Sequence, residues 1–75
     1  MSSFKEQSDK HYVFSLLDLI YGSSIEELKL DHEYYLDIEE YHICDGILRA
    51  LKFIEDKSMI DIKKELDLYE IKQQL

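Results

Sequence analysis

Residues 37–55, DIEEYHICDGILRALKFIE, decide how this chain folds. Tyr41, Cys44, Ile47, Leu48, Leu51 and Ile54 recur at three- and four-residue spacing, the stripe of an amphipathic helix rather than the alternation of a strand. Asp37 and Glu40 stand in the capping-box arrangement ahead of it, with Leu36 and Tyr41 placed as a hydrophobic staple. The spacing therefore predicts a helix that follows Asp37 and runs to about Glu55. Gly46 sits inside that helix, where it costs about 1 kcal/mol relative to Ala. Close approach of a neighbouring helix is the structural reason for such a residue.

The same grammar extends in both directions. Val13, Leu16, Leu17 and Ile20 form the stripe of a first helix from about Lys10 to Tyr21, with Asp9 as N-cap and Gly22 in the left-handed position beyond its end. Ser24 and Glu27 open a second, short helix that carries Ile25 and Leu28, with Leu30 as a further candidate. Ser58 and Asp61 open a last helix with Met59, Ile62, Leu66 and Tyr69 inward, and Leu75 as a further candidate. Residues 1–8 read as a flexible polar lead-in, which leaves 9–75 as a single helical domain. The chain has no Pro, whose cost inside a helix is about 3 kcal/mol. The expected fold is an all-α bundle of three or four short helices. An offset of 34 residues relates Leu17 to Leu51, Ile20 to Ile54, Ser24 to Ser58, Glu27 to Asp61, Leu28 to Ile62 and Lys29 to Lys63. Duplication of a helical hairpin and shared helix–cap–helix grammar both produce that pattern.

At 75 residues and 9.0 kDa, one domain is expected. Surface scaling gives roughly 4,800 Å² folded against about 13,000 Å² unfolded, enough for one small core and no deep cleft. An ordinary interface takes about 800 Å² per partner, roughly a sixth of that surface. This size suits a binding module better than an enzyme. Seventeen acidic against nine basic side chains give a net charge of −8, which opposes direct binding to nucleic acid or to anionic membranes. A basic protein partner fits, as does mimicry of nucleic acid. Cys44 is the only cysteine, so no internal disulfide is possible and the cytoplasm is the expected location. The most apolar stretch, Tyr12 to Tyr21, is broken by Ser15 and Asp18 and is too short to span a bilayer.

The charge is concentrated. Residues 26–45 hold Glu26, Glu27, Asp31, Glu33, Asp37, Glu39, Glu40 and Asp45 against Lys29 alone, a net of −7. The window also holds Tyr34, Tyr35 and Tyr41, half of the six tyrosines. Tyr supplies rigid contact area with a polar tip, and carboxylates around it steer a basic partner. Asp31, Glu33, Tyr34, Tyr35, Asp37, Glu39 and Glu40 are therefore the candidate partner-binding residues. A solvated helix face with one tyrosine of the pair inward is the other reading. Tyr34 and Tyr35 cannot both point inward on one helix, and Tyr41 belongs to the core stripe.

The residues offer little chemistry. His11, His32, His42 and Cys44 show no chelating spacing: His42 and Cys44 diverge on a helix, and no C-x-x-C or H-x-x-x-H is present. Cys44 reads as a small buried hydrophobe. There is no G-x-S-x-G, and two isolated glycines make no phosphate loop, so no catalytic activity, metal or cofactor is expected. Residues 58–71 resemble part of a helix-turn-helix, with Asp67 where a turn Gly is common. The recognition helix would run from Tyr69 to Leu75 and offer only Lys72, too little to grip DNA. A structural module dimerising through Tyr69, Ile71 and Leu75 is a further possibility.

One resemblance bears on function. Asp31-x-x-Tyr34-Tyr35, followed after ten residues by Gly46-Ile47-Leu48-Arg49-x-Leu51-Lys52, resembles the middle of the nuclease colicin and pyocin immunity proteins. It covers residues 31–54, about a third of the chain; Leu36 stands where the family has Pro. The resemblance implies an acidic four-helix bundle whose Asp31, Tyr34 and Tyr35 contact a basic nuclease domain. It leads to the same expectation as the charge map. That expectation is a small cytoplasmic protein of immunity, antitoxin or phage anti-defence type that occludes a basic surface of a partner. The alternatives are a helix-turn-helix-like regulator or DNA mimic, and the dimerisation module.

Overall fold

Gly46 sets the central contact of the fold. A Cβ built there would lie 2.5 Å from the backbone oxygen of Ser8 and 2.8 Å from both His11 Cβ and Tyr12 N. Two helix backbones meet at this point, as the glycine's position inside a helix implied. In the computed structural model, which describes residues 3–74 and side-chain surroundings through Tyr69, these helices are α1 (Phe4–Ile20) and α3 (Tyr41–Ile54). Flanking them are α2 (Ile25–Asp37), which packs on α3, and α4 (Met59–Gln74), which packs on α1. The protein is thus an all-α bundle, with no strand among the described residues. The bundle is only 19 Å thick against 32 and 31 Å in its other dimensions, about two helix diameters. That flatness leaves 5492 Å² exposed, above the roughly 4,800 Å² that surface scaling gives for its mass.

Close approach selects small side chains at the seam. Ser8, Tyr12, Ser15 and Leu16 are the buried residues of α1, and Cys44, Gly46, Ile47 and Ala50 those of α3. Apolar periodicity places the buried stripe of α1 at Val13, Leu16, Leu17 and Ile20; the structure rotates it by about 100°, one residue's worth of helix. The reason is that Ser8 and Ser15 are buried for their size, which hydrophobic spacing does not register. On α3 the stripe likewise turns toward Gly46 and Ala50. Tyr41 and Leu48, placed in the core by spacing, are 54% and 40% exposed. Tyr12, Leu16, Ala50 and Ile62 form the core cluster, with Leu66 and Tyr69 of α4 packed against it. Met59, expected inward, is exposed, and Leu75 lies outside the described residues.

The helix ends follow from local backbone chemistry, with two corrections. α1 begins at Phe4, not Lys10: Ser3, not Asp9, is the N-cap, its Oγ accepting from the N–H of Glu6 at 3.1 Å. Residues 4–8, read as lead-in, are the first turns of α1. The helix ends at Gly22 (φ 110°), with Ser23 N–H donating to the Asp18 carbonyl and Gly22 N–H to that of Leu19. Ser24 caps α2 by accepting from Glu27 N–H at 3.1 Å. The second correction is at Asp37, which is the last residue of α2 and caps nothing. There Glu39 takes the left-handed backbone (φ 61°), and Glu40 N–H and Glu39 N–H donate to the carbonyls of Tyr35 and Leu36. This is the same closure as at Gly22, with a glutamate in the glycine's place. Glu40 occupies the N-cap of α3 without a side-chain cap bond, and Leu36 and Tyr41 are both exposed instead of stapled. Ser58 and Asp61 form the full reciprocal box at α4, Ser58 N–H donating to Asp61 Oδ2 (3.0 Å) and Asp61 N–H to Ser58 Oγ (3.4 Å).

A polar latch ties α4 to the central pair. Tyr12 Oη donates to Glu65 Oε2 at 2.8 Å, and Arg49 Nη2 donates to Tyr69 Oη at 3.1 Å. Arg49 Nη1 donates to Asp9 Oδ1 (2.7 Å) and Ser8 Oγ (2.9 Å), while Ser8 Oγ donates to Asp45 Oδ2. The guanidinium also lies 4.7 Å from the centre of the Tyr12 ring. Burial, then the bond to Glu65, pushes the Tyr12 phenol far above its ordinary range. Residues 34 apart share environments: Leu28 and Ile62 are both buried, Ser24 and Ser58 are both caps, and Ile20 and Ile54 are both half-buried.

Candidate partner-binding surface

The acidic window lies on α2, the turn after it and the first turn of α3. Residues 31–36 are helical, inside α2. Only Leu28 of α2 is fully buried, so that residue defines the inward direction. At 100° per residue, Glu26, Leu30, Glu33, Tyr34 and Asp37 lie on the opposite side. The structure agrees: Asp31, Glu33, Tyr34, Asp37 and Glu39 are exposed, and the Tyr34 side chain is 60% accessible.

The other candidates divide. Tyr35 is half-buried and meets Tyr34 edge-on, ring centres 5.1 Å apart. It supports the exposed ring more than it presents itself. Glu40 is also half-buried, and its Oε2 lies 3.3 Å from His42 Nε2 on α3. So Glu33, Tyr34 and Asp37 share the outer face of α2, Asp31 is exposed at the edge nearer Leu28, Glu39 sits in the turn beyond, and Tyr35 and Glu40 are half-buried.

Sequence spacing misses the apolar part of this face. Leu30 is 64% exposed, Ile38 50% and Leu36 47%. Leu30, Tyr34 and Ile38 are four residues apart and form one ridge along α2 and its C-cap. Glu33 and Asp37 flank the ridge on one side, in the row that Lys29 begins, Glu27 and Asp31 flank it on the other, and Glu26 lies in line with the ridge one turn before Leu30. Lys29, the sole cation of the window, lies 3.8 Å from Glu26. The signal was the four-residue interval itself, which stands out once α2 is one continuous helix with Leu28 inward.

Cys44, His11 and His42 have structural partners. Cys44 is buried, its thiol pushed up by burial and donating to the His32 carbonyl at 3.6 Å. His11 and His42 meet edge-on at 6.5 Å between Phe4 and Phe14. Among the described residues no group of three His, Cys, Asp or Glu side chains can hold a metal ion, and no helix is long and apolar enough to cross a membrane. The would-be DNA-reading residue Lys72 and the dimerisation residues Ile71 and Leu75 lie outside the described side chains. The chain is therefore defined, as a class, by its all-α bundle and an acidic, apolar-ridged outer helix. Comparison with protein-family models, curated proteins and solved structures finds no match to it.

Proposed function

We propose that this protein is a small binding module that inhibits or regulates another protein by covering a basic surface on it. The observation that carries this reading is Tyr34, a large aromatic 60% exposed between Glu33 and Asp37 on a helix facing away from the core. Aromatic anchors ringed by charge are the anatomy of interface hot spots. The resemblance to nuclease immunity proteins assigns the same role to Asp31, Tyr34 and Tyr35, which supports an immunity-type, antitoxin-type or anti-defence partner such as a nucleic-acid enzyme. The free Cys44 suits the cytoplasm as its place of action. The work is binding, without catalysis.

The test is capture from the native host followed by mass spectrometry, with the natural chain and with a Glu33→Lys/Tyr34→Ala/Asp37→Lys variant. All three positions are exposed, so circular dichroism should be unchanged. The proposal expects a basic protein that the natural chain retains and the variant loses. Equal recovery by both refutes it.

A further inference from the structure

Resting on that reading of the acidic face, we infer that the partner meets α2 with a basic amphipathic α-helix, laid along the ridge of Leu30, Tyr34 and Ile38. The ridge climbs about 12 Å over eight residues, just over two helical turns. Its side chains follow the four-residue row that seats into the groove of a second helix, at axial separations of about 8–10 Å. At that separation, basic side chains on either edge of the partner helix reach the two acidic flanks, Glu33 and Asp37 on one side and Glu27 and Asp31 on the other, with Glu26 at the end of the ridge.

Other occupants fit less well. A β-strand ligand needs a sheet edge to pair its backbone N–H and C=O groups. There is no strand among the described residues, whereas a helix satisfies its own backbone. A second copy would set acidic flanks against acidic flanks, with Lys29 already placed on Glu26. A small molecule needs a cleft, whereas Leu30, Tyr34 and Ile38 stand exposed. Two clefts, of about 200 and 240 Å³, lie elsewhere, around Phe53, Lys64 and Leu68 and around Leu19, Ile54 and Met59. An anionic membrane is repelled by the same carboxylates. What remains is a partner with apolar side chains at one per turn and Lys or Arg on both edges, folded as a helix.

The probe is a synthetic 16-residue peptide with Leu at three- and four-residue spacing between lysines. A scrambled peptide of equal composition is the control. Both are titrated into the full chain by calorimetry at 0.15 M salt, and peptide helicity is followed by circular dichroism. The amphipathic peptide should bind at least about tenfold tighter than the scramble and gain helix on binding, and Leu30→Ala or Tyr34→Ala should each weaken it about tenfold or more. Equal affinity for the two peptides overturns the helix assignment while leaving the acidic face as a protein-binding surface. Binding that Glu33→Lys/Asp37→Lys leaves unchanged overturns the acidic-face reading itself.

Discussion

Gly46→Ala tests the central claim about this fold, because two effects of known sign oppose each other there. On an exposed helix the change would stabilise by about 1 kcal/mol. Here the new methyl would meet the Ser8 carbonyl oxygen at 2.5 Å and Tyr12 N at 2.8 Å, both backbone atoms that cannot rotate away. Relief requires α1 and α3 to separate by most of an ångström. That separation loosens the packing of Leu16 and Ala50, both fully buried, and stretches the Ser8–Asp45 and Arg49–Asp9 bonds across the seam. Overpacking costs about 1–3 kcal/mol and more where the neighbours are rigid. Taking about 3 and subtracting the gain in helix propensity leaves a net loss of about 2 kcal/mol. For a domain of this size that lowers the melting temperature by about 8–16 °C. Thermal and urea unfolding followed by circular dichroism measure it. A Gly46→Ala protein that melts at or above the natural temperature would falsify the close helix contact, and the seam argument with it.

Three further outcomes follow from the helix ends and the histidines. Glu39→Gly should stabilise by about 0.5–1 kcal/mol in urea unfolding, because a glutamate holds a left-handed position that suits glycine. Ser58→Ala should cost about 1 kcal/mol by removing half of the box at α4, and the Asp61 carboxyl, held low by its bonds to Ser58, should move back toward its ordinary value in an NMR titration. His11 is held below the ordinary imidazole range by burial, then by Lys10 and His42. Its contribution is therefore fully present above about pH 6.5 and lost as pH falls through its lowered folded value. The urea midpoint should drop between pH 7 and pH 5, and His11→Gln should flatten that drop; a parallel curve for the variant would remove His11 as its source.

What was legible in the sequence is what short-range backbone chemistry determines. Gly22, Ser24 and Ser58 work within one turn of themselves, and each does in the structure what its position implies. Gly46 was legible because glycine inside a helix needs a reason, and contact with a second backbone supplies it. The buried faces of α1 and α3 were less legible, since Ser8, Ser15 and Ala50 are selected by size at a seam whose location is a tertiary fact. Ser3 with Glu6 has the capping spacing, yet it lay in a polar stretch with no apolar stripe to announce a helix. Asp37 with Glu40 failed in the opposite way: in a run this rich in carboxylates the pattern arises without the geometry. On the candidate site, the acidic flanks and Tyr34 were legible from composition. Leu30 and Ile38 were not, because an apolar residue in a small protein reads as core until the helix is known to face outward.

Several departures from favourable local chemistry meet at the end of α2, and that bears on what the acidic face is for. Other helix ends carry favourable capping parts: Ser3, Ser24 and Ser58 at N-caps and Gly22 at the closure of α1. At the end of α2 the parts are unfavourable. Asp37 places negative charge in the last turn, against the helix dipole, with no basic residue to offset it there, as Asp18 does in α1. Glu39 occupies a left-handed position at a cost of about 1–2 kcal/mol. Tyr34, Ile38 and Tyr41 expose large apolar area within a few residues of each other. Glu40 recovers a little, since a carboxylate at the start of α3 meets the favourable end of that dipole. A chain whose only requirement was stability would carry Gly at 39, a basic residue near 37 and polar side chains at 34 and 38. Proteins break such local rules mainly where function demands it, and here every departure adds either negative charge or exposed apolar surface to the same face. Both are what a basic, amphipathic partner would use.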